Sequence, residues 1–214
     1  MRLRKYLNEN ITTVEELNEL IHKNCKYYLN ITKGKYIFKR GMGFSRNIDP
    51  WGKWGKKKVR QNRKPRATDK DAFIKLNKWL DKNNHVRRDK AVMASSFQGE
   101  ILSSFFGDLY WIFPIGKFNY TWIKSRDINL TDASTGWSRF AVDKYFERDG
   151  YVNDIKGDFK DYFVTNSSLK TAWQSQFEIW FDCKEYYYIK AKDYKWDIHT
   201  QTMTTKASIK IVYK

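Results

Sequence analysis

Three short stretches of this 214-residue chain carry side chains able to do chemistry. In "YIFKRG", Arg40 closes a strand-like run and Gly41 follows it. In "VMASSF", two hydroxyls, Ser95 and Ser96, end a second run. In "SQFEIW", Gln176 and Glu178 stand two apart where a third begins. Residues two apart on a strand point to the same face. An amide and a carboxylate would then share one space, with Phe177 and Ile179 turned the other way. Such a pair is either a solvated strand edge or one piece of a catalytic site. Taken singly, each stretch is ordinary. An Arg before a Gly is common in a basic protein, a Ser pair often marks a strand edge or a helix cap, and Gln-x-Glu on a strand is usually surface.

The charge gives a second signal. There are 41 Lys and Arg against 24 Asp and Glu, a formal net charge of +17. Such an excess favours encounter with polyanions, nucleic acid first among them. No long basic amphipathic helix points to a membrane surface instead. About half of the excess lies between residues 51 and 70. That stretch holds nine basic residues (Lys53, Lys56, Lys57, Lys58, Arg60, Arg63, Lys64, Arg66, Lys70) and one acid, Asp69. Trp51 and Trp54 are interleaved with them. A basic loop carrying aromatics suits phosphates and base stacking. It equally suits a solvated loop pinned to the body by two indoles. Gly, Pro and charge dominate here, so residues 45–68 read as a long exposed loop.

Cys25 and Cys183 are too few for a disulfide framework, and His22, His85 and His199 lack ligand spacing. No structural metal is expected. The N-terminus "MRLRKYLNEN" has no apolar signal core, and no run is long enough to span a membrane. An intracellular, reducing compartment is the default expectation.

The elements follow from periodicity and punctuation. Thr13 with Glu16 forms a capping box. Val14, Leu17, Ile21, Cys25 and Tyr28 then recur at helical spacing, which predicts a helix over 14–28. A strand is expected over 35–40. A second helix follows Thr68, with Ala72, Phe73, Leu76, Trp79 and Leu80 on its apolar face. Strand 91–96, a short helix over 98–107, and two strands broken at Pro114 and Gly116 come next. Residues 138–150 and "DFKDYFVTNSS" read as helical. "FEIWFD" and "EYYYIKAKD" read as strands, and "YKWDIHTQTM" with "KASIKIVYK" as a closing hairpin. Aromatics at 17% favour a sheet-rich chain. The class is α+β.

In this order, the Arg, Ser and Gln-x-Glu stretches resemble the Arg–Ser–Glu class of mono-ADP-ribosyltransferases over roughly residues 35–190. "SFFGDLYWIFPIG" and "FPIGKF" resemble phage-encoded proteins with such a fold. The middle motif departs from the Ser-Thr-Ser pattern of the class, reading Ala94-Ser95-Ser96. A long basic insertion also follows the Arg strand.

The resemblance implies an ADP-ribosyltransferase-like split β-sheet core over 35–214, preceded by a helical segment over 1–34. It implies NAD as substrate and no metal. Glu178 would stabilise the oxocarbenium-like ribose. Arg40 would hold the NAD phosphates or ribose by forked hydrogen bonds, with Gly41, Ser95 and Ser96 beside it. Gln176 would orient an acceptor other than arginine, and Trp173 would meet the substrate. The acceptor would be nucleic acid or nucleic-acid-associated, held by Trp51, Trp54, Lys56, Lys57, Lys58, Arg60, Arg63, Lys64 and Arg66. Two other readings stand beside this one. One is a non-enzymatic nucleic-acid-binding phage protein, packaged in the virion or antagonising a host defence. The other is an assembly protein that meets another protein, a host protein included, through its Trp-rich loop. Each would place the protein in the host cytoplasm, carried there in the virion in the packaged case.

Overall fold

A computed structural model describes residues 11, 13–42, 53–64, 70–96, 108–124 and 159–205. The elements expected over 98–107 and 138–150 lie outside those residues, as do Thr68, Trp51 and Arg66.

Helix α1, Val14–Asn24, starts where Thr13 Oγ1 accepts the amide of Glu16 at 3.1 Å. The expected helix breaks at Cys25 and resumes as α2, Lys26–Thr32. The apolar stripe survives the break, because Leu17, Ile21, Cys25 and Tyr28 are all fully buried. At the end of α2, Lys33 and Gly34 turn left-handed, and the Gly34 amide returns to Leu29 O at 3.0 Å.

Two four-stranded antiparallel sheets form the body. In the first, β1 (Lys39–Met42), β4 (Asp108–Pro114), β8 (Glu185–Lys190) and β2 (Trp54–Lys58) lie in that order. In the second the order is β3 (Val92–Ala94), β7 (Ile179–Asp182), β5 (Asn119–Ile123) and β6 (Phe163–Thr165). The sheets meet at edge strands. Lys39, which opens β1, exchanges two backbone bonds with Ser95, just past β3, at 2.7 and 2.8 Å. This bridge is the seam of the molecule. A packed aromatic layer of Tyr28, Phe38, Phe113, Phe118 and Phe181 fills the space beside it, with edge-on ring contacts of 5.6–5.9 Å.

The hairpin of β9 (Tyr194–Asp197) and β10 (Thr202–Thr205) lies beside α1, where Asn18 bonds both backbone groups of Met203. Helix α3, Lys70–Lys82, carries Leu76 and Leu80 into a second apolar cluster with Ile123, Phe163 and Trp180 on the second sheet.

The structure departs from the sequence reading at several places. Part of the basic stretch is strand, not loop, since Trp54–Lys58 pairs in full register with β8. Its glycine fits a strand here because Tyr188 lies over it. A Cβ on Gly55 would come within 2.5 Å of the Tyr188 hydroxyl. "DFKDYFVTNSS" forms a 3-10 turn, Phe159–Tyr162, and then strand β6 rather than a helix. A hairpin forms within residues 194–205, and "KASIKIVYK" lies outside the described residues. Gln176 and Glu178 precede β7 rather than lying on it.

Candidate functional site

The seam gathers side chains from five segments. Helix α4, Leu169–Gln174, ends in a turn at Ser175 and Gln176, and Gln176 sits in the left-handed region at φ 58°. Two hydroxyls clamp that turn to the end of β3. Ser95 Oγ donates to Gln176 O at 2.9 Å, and Ser96 Oγ donates to Trp173 O. Phe177 then stacks on Trp122, rings 5.6 Å apart and 15° from parallel. The side-chain alternation expected of a strand over 176–178 is therefore absent, because a left-handed residue interrupts it.

Glu178 follows, 7% exposed. Its backbone carbonyl accepts Ile123 N at 3.1 Å, which fixes it at the mouth of β7. Its Oε1 accepts the Trp180 indole N–H at 2.6 Å and Arg88 Nε at 3.4 Å. Arg88 sits on a 3-10 turn, Arg88–Lys90, and is itself buried. Breaking a buried pair of this kind typically costs about 3–5 kcal/mol, because the remaining charge is stranded.

Arg88 pairs with this carboxylate, Arg63 lies near it, and further cations stand near Arg63. Register places Arg40 opposite Tyr110, Tyr110 opposite Lys190, and Lys57 opposite Tyr186. Residues 186 and 190 are an even number apart, so Arg40, Tyr186 and Lys57 share one face of the first sheet. Lys190, on the same face, is neutralised by Asp108 at 2.6 Å.

Past β2, the amide of Arg63 donates to Asp89 O at 3.0 Å, which hooks that residue beside Arg88. Asp89 itself is taken by Arg87 through two bonds of 3.0 and 2.7 Å. Burial pushes the Arg63 guanidinium down to about 9, and the neighbouring Arg40 and Arg88 push the same way against Glu178 and Tyr186. Burial, then Arg60 and Arg40, lower Lys57 to about 8. Burial raises Tyr186 against the pull of Arg40. The Nη1 of Arg63 is buried without a hydrogen-bond partner among the described residues. An orphaned donor of that kind costs about 1–3 kcal/mol, more when charged.

Of the residues singled out in the sequence, Arg40, Ser95, Gln176, Glu178, Lys57, Arg60 and Arg63 gather at or around this seam. Ser96 is nearby but spends its hydroxyl on Trp173 O. Others point elsewhere. Trp54 donates its indole N–H to Ile11 O at 3.1 Å and packs on Tyr194, so it anchors the body. Lys56 lies on the opposite face of β2 from Lys57 and pairs with Glu185 at 3.3 Å. Trp173 is a helix residue. Its indole donates to Ile37 O at 3.1 Å and its ring packs on Tyr36. Gly41 stands opposite Leu109, on the other face of β1 from Arg40. Lys58 and Lys64 are exposed.

The sequence reading missed Arg88, Trp180 and Tyr186. The run "RRDK" was a signal for the first, since an acid next to two arginines leaves one of them to find another partner.

A hollow of about 420 Å³ opens at the start of α1, lined by Thr13, Trp54, Tyr194 and Met203. Its charged residues, Glu15 and Lys53, form no catalytic set, so the seam is the stronger site. Among the described residues no group of His, Cys, Asp or Glu is arranged to hold a metal ion, and no helix is long and apolar enough to cross a membrane. The architecture is α+β, two antiparallel sheets joined at an edge seam. No protein family, curated protein or solved structure matches the chain.

Proposed function

We propose that this protein is a mono-ADP-ribosyltransferase that moves ADP-ribose from NAD to a nucleic-acid acceptor. The observation that carries the reading is the meeting of three distant segments. Arg40 follows the Lys39–Ser95 bridge, Ser95 bonds the Gln176 carbonyl, and Glu178 immediately precedes the next strand. Glu178 is the group that faces the anomeric carbon. As the nicotinamide leaves, positive charge develops on the ribose, and a fixed carboxylate stabilises it. Trp180 and Arg88 fix that carboxylate through Oε1. Arg40 grips phosphate or ribose oxygens with its fork. Gln176, in its left-handed turn, presents an amide to the acceptor, and the surrounding cations draw a nucleic-acid strand to it.

The test is transfer of label from NAD to DNA, RNA or protein, with Glu178→Gln as the paired variant. Wild-type labelling that a Glu178→Gln variant shown to be folded abolishes supports the proposal. Absence of label on every acceptor sinks it.

A second reading keeps the fold and discards the reaction. It is favoured by the serine hydroxyls, both of which are spent on backbone carbonyls, and by Ala94 in place of a first serine. On that reading the protein binds nucleic acid, its affinity falls with salt, and NAD leaves its melting temperature unchanged.

A further inference from the structure

We infer that the cations around Arg63 form a seat for a phosphate or pyrophosphate group, whatever chemistry takes place beside it. Arg40, Lys57, Arg60, Arg63 and Arg88 come from three separate parts of the chain, residues 40, 57–63 and 88. Among the described residues, Glu178 lies near Arg63 and pairs with Arg88. Asp89 and Asp108 are committed to Arg87 and Lys190. Arg40 and Arg88 lie close enough to Arg63 to disfavour its charge, and an anion drawn to the group offsets that repulsion.

Arg63 carries the point of the inference. The hydrogen bond from its amide to Asp89 O fixes its backbone at the seam, and its Nη1 is buried with no acceptor among the described residues. A guanidinium left in that state is ready for an oxygen ligand, and phosphate matches the planar fork of Arg. Lys57, directly across from Tyr186, supplies a point charge on the same sheet face as Arg40. Burial, and then neighbouring cations, lower the proton affinity of both Arg63 and Lys57, with Arg40 acting on each.

The seat does not depend on the transfer reaction, so it is tested without NAD. Inorganic pyrophosphate is titrated calorimetrically into the full chain at fixed ionic strength, which holds non-specific charge effects constant. Saturable one-to-one binding is expected. Loss of a charge-assisted fork weakens it about tenfold or more in Arg63→Gln. Lys57→Gln also weakens it, and serves alone if Arg63→Gln does not fold. Lys195→Gln, on the hairpin, leaves it unchanged. ADP-ribose and a ten-nucleotide single-stranded DNA are then added as competitors. Displacement by one names the source of the phosphate, by both shows that either is accepted, and by neither leaves the free anion as ligand. No saturable binding to the wild type at millimolar pyrophosphate overturns the inference. So does full affinity in a folded Arg63→Gln or in Lys57→Gln.

Discussion

Replacing Arg63 with Met should make the protein more stable, not less, when no phosphate is present. Met keeps an unbranched apolar stem, so the packing of the Arg methylenes is largely retained. The change removes an orphaned buried donor, worth about 1–3 kcal/mol. It also relieves repulsion with Arg40 and Arg88, and gives up attraction to Glu178 and Tyr186, the weaker influences on this group. Replacement of buried ions by apolar groups is neutral or stabilising by about 1–4 kcal/mol in comparable sites. A net gain of about 1–2 kcal/mol follows. At this chain length that raises Tm by roughly 2–8 °C.

The assay is thermal or urea unfolding in a chloride buffer free of phosphate and sulfate, repeated with saturating pyrophosphate. Wild type should gain from the anion and Arg63→Met should not, so their order narrows or reverses. A variant that melts below wild type in the phosphate-free buffer would refute the reasoning, because Nη1 would then have to be satisfied in the folded protein.

Glu178→Gln should have the opposite sign. It strands buried Arg88 among other cations and costs about 3–5 kcal/mol, read by urea unfolding, where a loss below 1 kcal/mol contradicts the pairing. Gly55→Ala should cost about 1–3 kcal/mol, since the added methyl meets the Tyr188 ring; a neutral result by the same measurement argues against that packing.

Stability should also climb as pH rises from 7.5 to 9. In the folded state Lys57 releases its proton near 8, while the unfolded chain holds it to about 10.5, so between these values the unfolded state binds more protons. The penalty is fully in force below 8 and relieved above it. Above 9 the Cys183 thiol works against this rise, because the folded state keeps it protonated to about 12 and the unfolded chain does not. Thermal melts across that range check it, and a flat profile from 7.5 to 9 speaks against a buried Lys57.

Much of the scaffold was legible in the sequence because it rests on local pattern. The Thr13 cap, the stripe from Leu17 to Tyr28, the Leu76–Leu80 face and the aromatic strands around Pro114 and Phe181 each carry their own period. The basic stretch misled because Gly55 and three lysines carry loop composition. β2 is an edge strand, where lysines are at home, and its glycine answers to Tyr188, a residue 133 positions away. Arg40, Ser95 and Glu178 could be picked out by type. Their meeting depends on the Lys39–Ser95 bridge and the left-handed Gln176, which no short-range pattern encodes. Tyr186 was invisible because its role comes from register and burial.

The most direct test of the account is whether NAD binds at the seam. Melting is followed with increasing NAD, and a concentration of 100 times Kd should stabilise the fold by about 2.7 kcal/mol, a shift of several degrees that Arg40→Gln abolishes. An unchanged melting temperature at millimolar NAD would contradict it.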